Sequence, residues 1–252
     1  MAFRYVLPEQ DALGEFTLAG EETGFAFAGE ASAFALNRGR FNTDNEGEYA
    51  RTALRDIKPA SIINLPLLVE MPDGGPWVAL LEADMTDYAG LYVGGVPGLP
   101  NALAAKLSTP PGRRADQAVA GRTPKATPWR ILMVAATPGR LIETSYLVLN
   151  LSPPCAIADT SWIEPGKAAW DWWSGSHATS VPFKPGMNTA TMKHYIDFAA
   201  RHWFEYMLVD AGWAPLAAAG RLEDILRFIP EANIPEIIDH GKKKGVKVLL
   251  WV

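Results

Sequence analysis

The chain has 252 residues, 48% of them hydrophobic and 20% charged, with a formal net charge of −5. Such a length holds one large domain or two modest ones, and the composition is that of a core-forming globular protein rather than a disordered one. The acidic balance gives no electrostatic reason to bind nucleic acid or anionic lipid, and no Lys/Arg block is longer than Lys242–Lys244.

The only cysteine, Cys155, rules out an internal disulfide and any Cys-based zinc site. No apolar run approaches the roughly 20 residues a membrane helix needs. Met1-Ala2-Phe3-Arg4-Tyr5 carries no charged region followed by an apolar stretch, so no signal peptide is read there. Nine tryptophans are many. Some belong in a core, but indole faces also suit the apolar C–H faces of sugars.

Up to about Leu151 the period is that of β-structure. Phe16 and Leu18, Phe25 and Phe27, and Phe34 and Leu36 each flank one small or polar residue. Further runs at Ser61–Glu70, Trp77–Ala83, Trp129–Ala135 and Ser145–Leu151 predict strands, separated by turns such as Asp73-Gly74-Gly75-Pro76 and Pro110-Pro111-Gly112. Strands without intervening helical periods predict an antiparallel sandwich. Residues 97–128, rich in Pro, Gly, Ala and charge, predict a long surface loop.

After Pro153-Pro154 the pattern changes. Ala168–Trp172 predicts a short strand, and Thr189–Phe204 a helix with Met192, Tyr195, Ile196, Ala199 and Trp203 on one face and Asn188 or Thr189 as cap. Tyr206–Asp210 predicts a strand buried on both faces. A helix from about Pro235 to Lys244 ends on three lysines and Gly245, and Val246–Val252 predicts a third buried strand. The β-α-β-α-β order implies parallel strands, and units of about 40 residues fit a decorated (β/α)8 barrel. Only three such strands are present. The expected organisation is therefore a partial antiparallel β-sandwich over residues 1–152, then a truncated barrel over 153–252; a small complete α/β sheet is the alternative.

Barrel enzymes carry their reactive side chains at the C-terminal ends of strands. Those ends read Trp170-Asp171-Trp172-Trp173, Asp210-Ala211-Gly212-Trp213 and Trp251. Carboxylates on such a rim can bind sugar hydroxyls or act as acid, base or nucleophile, with Trp as a subsite wall. Trp170 and Trp251 read equally well as barrel packing. Among His177, His194, His202 and His240 no metal spacing occurs, and only His177, in the loop after the first strand, falls near the rim. Val93-Gly94-Gly95-Val96-Pro97-Gly98 precedes no helix, so it is no phosphate cradle. Ser174 and Ser176 lie outside any GxSxG elbow. In Leu81–Tyr92, Glu82, Asp84 and Asp87 could offer oxygens to a hard cation, although acidic turn residues are more commonly just solvated.

These blocks, in their order and spacing, resemble glycoside hydrolase family 97, the bacterial α-glucosidases and α-galactosidases. The similarity runs through Phe3-Arg4-Tyr5, Glu46-Gly47-Glu48-Tyr49, Pro66–Ala83 with Glu82-Ala83-Asp84, Trp170–Trp173, Tyr195-Ile196-Asp197-Phe198-Ala199-Ala200, Leu208–Trp213 and Leu250-Trp251-Val252. The resemblance implies an N-terminal β-supersandwich, a helical linker, a (β/α)8 TIM barrel and a small C-terminal β-domain. On this reading the chain is an internal piece holding part of the supersandwich and the first three barrel strands. It further implies a periplasmic enzyme with a calcium ion near its glycoside substrate, with Glu82 as the metal ligand supplied by the sandwich. Asp171, Trp172, Asp210, Trp213 and Trp251 become substrate-pocket residues.

The family's principal catalytic carboxylates lie beyond the third barrel strand, so the isolated chain is expected to be inactive and its stereochemistry is not legible. Ala211 stands where some members carry an acid, which disfavours the inverting α-glucosidase branch. Two other readings stay open: a different α-galactosidase family, and a non-catalytic carbohydrate-binding protein made of a sandwich and half a barrel.

Overall fold

The computed structural model describes residues 1–114, 116–172, 175, 177–215 and 226–252. Trp173, Ser174 and Ser176 lie outside the described residues. The chain divides into two units, Met1–Ala156 and Ile157–Val252.

The first unit is antiparallel β-structure. A six-stranded sheet runs in the order Ala2–Phe3, Trp129–Ala135, Trp77–Ala83, Leu67–Glu70, Ser32–Ala35, Ala50–Ala53. A three-stranded sheet is ordered Gly24–Ala26, Leu99–Leu107, Leu91–Val96. Two ribbons, Glu15–Leu18 with Val119–Arg122 and Val6–Leu7 with Lys125–Ala126, complete the unit. Alternation along Trp77–Ala83 explains how the large sheet is covered twice. Val78 and Leu80 join Leu67, Val69, Leu91, Val93 and Leu103 in the core between the sheets. Ala79 and Ala83 turn the other way and pack with Ile131, Met133 and Leu141.

Two expectations for this unit are corrected. Ser145–Leu151 is not a strand: Pro138–Glu143 and Tyr146–Asn150 are helical, with Pro138 in the first turn. Leu147, Val148 and Leu151 share one helical face and lean on the back of the large sheet, and so short an apolar run fits either period. Residues 97–128 are not a long loop, because they contain Leu99–Leu107, Val119–Arg122 and Lys125–Ala126. The alanine-rich Leu99–Leu107 has little strand preference of its own; pairing with strands on both sides fixes it.

The glycine-rich run at 93–98 has a packing cause. A Cβ on Gly95 would sit 2.0 Å from the Ile57 carbonyl oxygen, so the strand can pass this backbone only as glycine.

The second unit is a parallel three-stranded sheet, Ala168–Trp170, Tyr206–Val209 and Lys247–Leu250, with the middle segment central. Helices Thr189–Arg201 and Ile234–Lys244 connect the strands. Asn188 caps the first helix through the Thr191 N–H, and Asn233 the second through the Glu236 N–H. The second ends on Gly245 at φ 72°, with Lys242, Lys243 and Lys244 against the negative end of its dipole. Met192, Ile196, Ala199 and Ile237 close over Ala169, Met207 and Val209. Among the described residues, only that face of the sheet is closed. Leu249 is 44% exposed and Lys247 is exposed too, so the strand expected to be buried on both faces is covered on one. No described helix is long and apolar enough to cross a membrane.

Gly95→Ala should destabilise the chain by about 1–3 kcal/mol, because backbone rather than a side-chain tip must yield. Guanidinium unfolding of the variant against the parent chain measures this, and an unchanged midpoint would disprove the close approach.

Candidate functional site

Two groups of polar side chains stand out, one in each unit. In the parallel unit, Asp171 follows the first strand, Asp210 the second and Trp251 the third, so the register that aligns Trp170 with Leu208 and Leu208 with Leu249 brings all three to one end of the sheet. Side chains extend the ladder there. The Asp210 N–H donates to Asp171 Oδ1 at 3.3 Å, the Trp170 indole N–H donates to Asp210 Oδ2 at 2.9 Å, and the Ala211 N–H donates to Asp210 Oδ1 at 2.7 Å. The Trp251 N–H donates to the Val209 carbonyl at 3.0 Å.

The two carboxylates differ in setting. Asp171 is 4% exposed, Asp210 is half-buried, and among the described residues no salt bridge reaches either. Burial pushes the Asp171 carboxyl above the ordinary aspartate range; the Asp210 N–H opposes this, and the neighbouring Asp210 charge adds to it. Tyr195, on the first helix, has its hydroxyl pushed up by burial and by the Asp171 charge. Tyr195 reads from sequence as a core residue of the helical stripe; that it shares the surroundings of Asp171 appears only once the helix docks.

The tryptophans divide. Trp172 and Trp251 are about half exposed and offer indole faces at this end of the sheet. Trp213, grouped with them by sequence, is 3% exposed and belongs to the core, where its indole N–H donates to the Trp251 carbonyl at 2.8 Å. It holds the backbone beneath Trp251. His177 is exposed, while His240 packs against Asp197 at 3.0 Å on the helices.

In the β unit the three acids of Leu81–Tyr92 do not converge. Asp84 pairs with Arg4 at 3.4 Å and Asp87 with Lys125 at 2.6 Å. Glu82 lies directly across the ladder from Arg130, on the face that Val78 and Leu80 turn to the main core. Arg130 Nη1 donates to Glu82 Oε2 at 2.8 Å, and the Leu91 N–H donates to both carboxylate oxygens at 3.0 and 3.2 Å. Burial pushes the Glu82 carboxyl up, against the opposing pull of Leu91 and Arg130. Arg130 also grips Glu21, Nε to Oε1 at 2.9 Å and Nη2 to Oε2 at 2.5 Å. The Tyr88 hydroxyl is pushed up to about 12, first by burial and then by the Glu21 charge.

Glu82 also lines a cleft of about 540 Å³ with Asn64, Gly90, Tyr92 and Ser108. The Asn64 Oδ1 is buried without a hydrogen-bond partner among the described residues. A carboxylate oxygen and an orphaned amide oxygen suit a hard cation such as calcium. They are too few for a complete ligand set, and among the described residues no group of three or more His, Cys, Asp or Glu could hold a metal. Sequence reading missed Asn64; Asn64-Leu65-Pro66 carries no ligand motif.

Comparison with known proteins gives both units one class, the glycoside hydrolases. The sequence model "Glycosyl-hydrolase 97 N-terminal" matches residues 1–154 and "Glycoside hydrolase 97" matches residues 170–252. The chain belongs to glycoside hydrolase family 97. A retaining alpha-galactosidase of Bacteroides thetaiotaomicron is 32% identical over 227 residues, covering 84% of this chain and 33% of that protein. A Streptomyces bingchenggensis protein named "Probable retaining alpha-galactosidase" is 27% identical over 267 residues, covering 100% of this chain and 36% of that protein. A family 97 enzyme from Pseudoalteromonas sp. strain K8, solved with acarbose, superposes with a TM-score of 0.82 at 27% identity, over 98% of this chain and 37% of that one. The chain thus spans about a third of the length of the curated relatives it matches.

An acid pushed up by burial holds its proton more tightly folded than unfolded, so the folded unit loses stability as pH rises from the ordinary aspartate range through the raised value. Asp171→Asn removes that charge and keeps Oδ1 as acceptor for the Asp210 N–H. Its thermal midpoint should exceed the wild-type value at about pH 7, with the gap closing below about pH 4. Equal midpoints at neutral pH would refute the assignment of a costly buried charge.

Proposed function

We propose that the chain supplies the β-supersandwich and the opening β-α turns of a (β/α)8 catalytic barrel in an exo-acting, calcium-dependent α-glycosidase of the retaining α-galactosidase type, acting in the periplasm. The observation that carries the reading is the meeting of Asp171 and Asp210 at the carboxyl ends of adjacent parallel strands, in a chain whose two units match the two family 97 models in order. Ala211, and the activity named for two relatives, favour the galactoside branch and retention.

The roles follow from burial. Asp210, with one oxygen held by the Trp170 indole and the other by the Ala211 N–H, is fixed in orientation yet half-exposed. It keeps lone pairs to accept hydroxyl protons from the terminal sugar, and pinning it in advance lowers the entropy cost of binding. Asp171 acts from beneath by fixing the Asp210 backbone. Trp172 and Trp251 present apolar walls to the sugar C–H faces. Glu82 and Asn64 would hold the calcium, which would supply positive charge there; its other ligands would come from elsewhere in the protein. In a retaining enzyme a carboxylate attacks the anomeric carbon through an oxocarbenium-like transition state and water releases the sugar with the configuration kept. The resemblance locates those carboxylates beyond Val252.

A glucoside reading has its own support, since a related family 97 enzyme was solved with panose. Parallel assays of the full-length protein on p-nitrophenyl α-galactoside and α-glucoside decide between them, the galactoside being expected to win. Asp210→Ala in that protein should lower kcat/KM about a hundredfold or more by loosening sugar placement. Chelation with EDTA should abolish turnover and added calcium restore it, while the 252-residue chain alone should turn over neither substrate. Full activity in Asp210→Ala, or indifference to EDTA, would defeat the corresponding assignment.

A further inference from the structure

Trp213 differs from Trp172 and Trp251 in burial, yet its polar bonds run to the rim. Gly212, at φ 101°, takes backbone that other residues rarely adopt, and the Trp213 indole then turns into the core of the parallel unit with Met192, Ile196 and Met207. A buried indole N–H needs an acceptor. This one finds the Trp251 carbonyl at 2.8 Å, while the Trp213 carbonyl takes the Ile229 N–H at 2.9 Å. Trp213 is therefore held by the packing of its ring, through its indole nitrogen and through its carbonyl.

Trp251 is the residue so anchored. Its N–H donates to the Val209 carbonyl at 3.0 Å and its carbonyl accepts from the Trp213 indole. Both of its backbone polar groups are answered, one by the neighbouring strand and one by the core. Its ring meanwhile is half exposed. With the backbone tied on both sides the direction of the Cα–Cβ bond is set, and the ring keeps only its own side-chain torsions. Without the indole donor Trp251 would hang by one bond, past the point where the ladder itself stops at Leu250.

We propose that Trp213 is a positioning residue for sugar binding: by holding the Trp251 carbonyl through its indole N–H, it fixes the angle at which the Trp251 ring meets the sugar, without itself touching substrate. This rests on the reading of Trp251 as a subsite wall and adds to it what holds the wall in place. Such a wall meets the C–H faces of the sugar alike in the bound substrate and in the transition state. Loosening it therefore raises KM and leaves kcat nearly unchanged.

The test is steady-state kinetics of the full-length protein on whichever of p-nitrophenyl α-galactoside and α-glucoside it hydrolyses faster. Trp251→Ala checks the underlying reading. If its KM equals that of wild type, the wall has failed and this proposal with it. If KM rises, Trp213→Phe decides. It keeps a buried ring and removes the N–H, so KM should rise about three- to tenfold with kcat within about twofold of wild type. Trp213→Phe added to Trp251→Ala should change KM no further, because Trp213 acts only through the ring already removed.

A merely structural tryptophan would lower the melting temperature of Trp213→Phe and leave KM where it was. That result overturns the proposal, as do additive effects on KM in the double variant. Phenylalanine is smaller than an indole, so benzothienylalanine, placed at position 213 by nonsense suppression, is the second probe: sulfur replaces the N–H in a ring of nearly the same size. It should raise KM with little change in melting temperature, and a wild-type KM overturns the proposal. If neither variant folds, Trp213 serves the core alone and the proposal is likewise overturned.

Discussion

A guanidinium with no exposed surface is the constraint around which the β unit is arranged. Arg130 cannot be buried alone, because an unpaired charge in a protein interior costs several kcal/mol. Its strand pairs it with Glu82 across the ladder, and the segment before Gly24–Ala26 brings Glu21 to its other side. Glu82 then reaches the Leu91 backbone, the first residue of a strand in the other sheet. A chain of polar contacts therefore ties the two sheets at one end of a core that is otherwise aliphatic. Ion groups of this kind add little net stability over well-packed hydrophobic residues, while loss of one member is expensive. Here they hold Glu82 in place against the Leu91 backbone.

The parallel unit answers the same physical problem in another way. Asp171 is buried without a salt bridge among the described residues, and its carboxylate relies on the Asp210 N–H, with Asp210 adding a like charge. Asp210 is held by an indole and its own following amide. One carboxylate serves as a bracket and the other as a reachable surface although the side chains are the same, because the register sets Asp171 level with Val209 and Asp210 one residue further along.

Much of this was legible in the sequence. Asn188, Gly245 and the lysines before it mark helix ends by local chemistry, and the unbroken apolar Tyr206–Val209 could hardly be anything but a central strand. The alternation Val78, Leu80, Glu82 already turns Glu82 towards the core. Three features were hidden for a common reason. Leu99–Leu107 is a strand because of its neighbours, Tyr146–Asn150 is a helix because one face finds a sheet to lean on, and Asn64 is notable because its Oδ1 has no hydrogen-bond partner among the described residues. Each depends on partners distant in sequence. Trp213 misleads for a related reason: its neighbours in sequence belong to the rim, while its own indole turns inward to the Trp251 carbonyl.

The bond from the Leu91 amide to Glu82 also closes a ring, since the same side chain that ends one strand anchors the start of the next. The intervening turn passes through left-handed backbone at Asp84 and Asp87 to make that closure. A turn fastened at both ends has no slack to lengthen. Insertions and deletions accumulating in related proteins should therefore avoid residues 83–90 and gather in segments free of such a clasp, even though this turn, by its acidic composition, looks like an ordinary exposed loop.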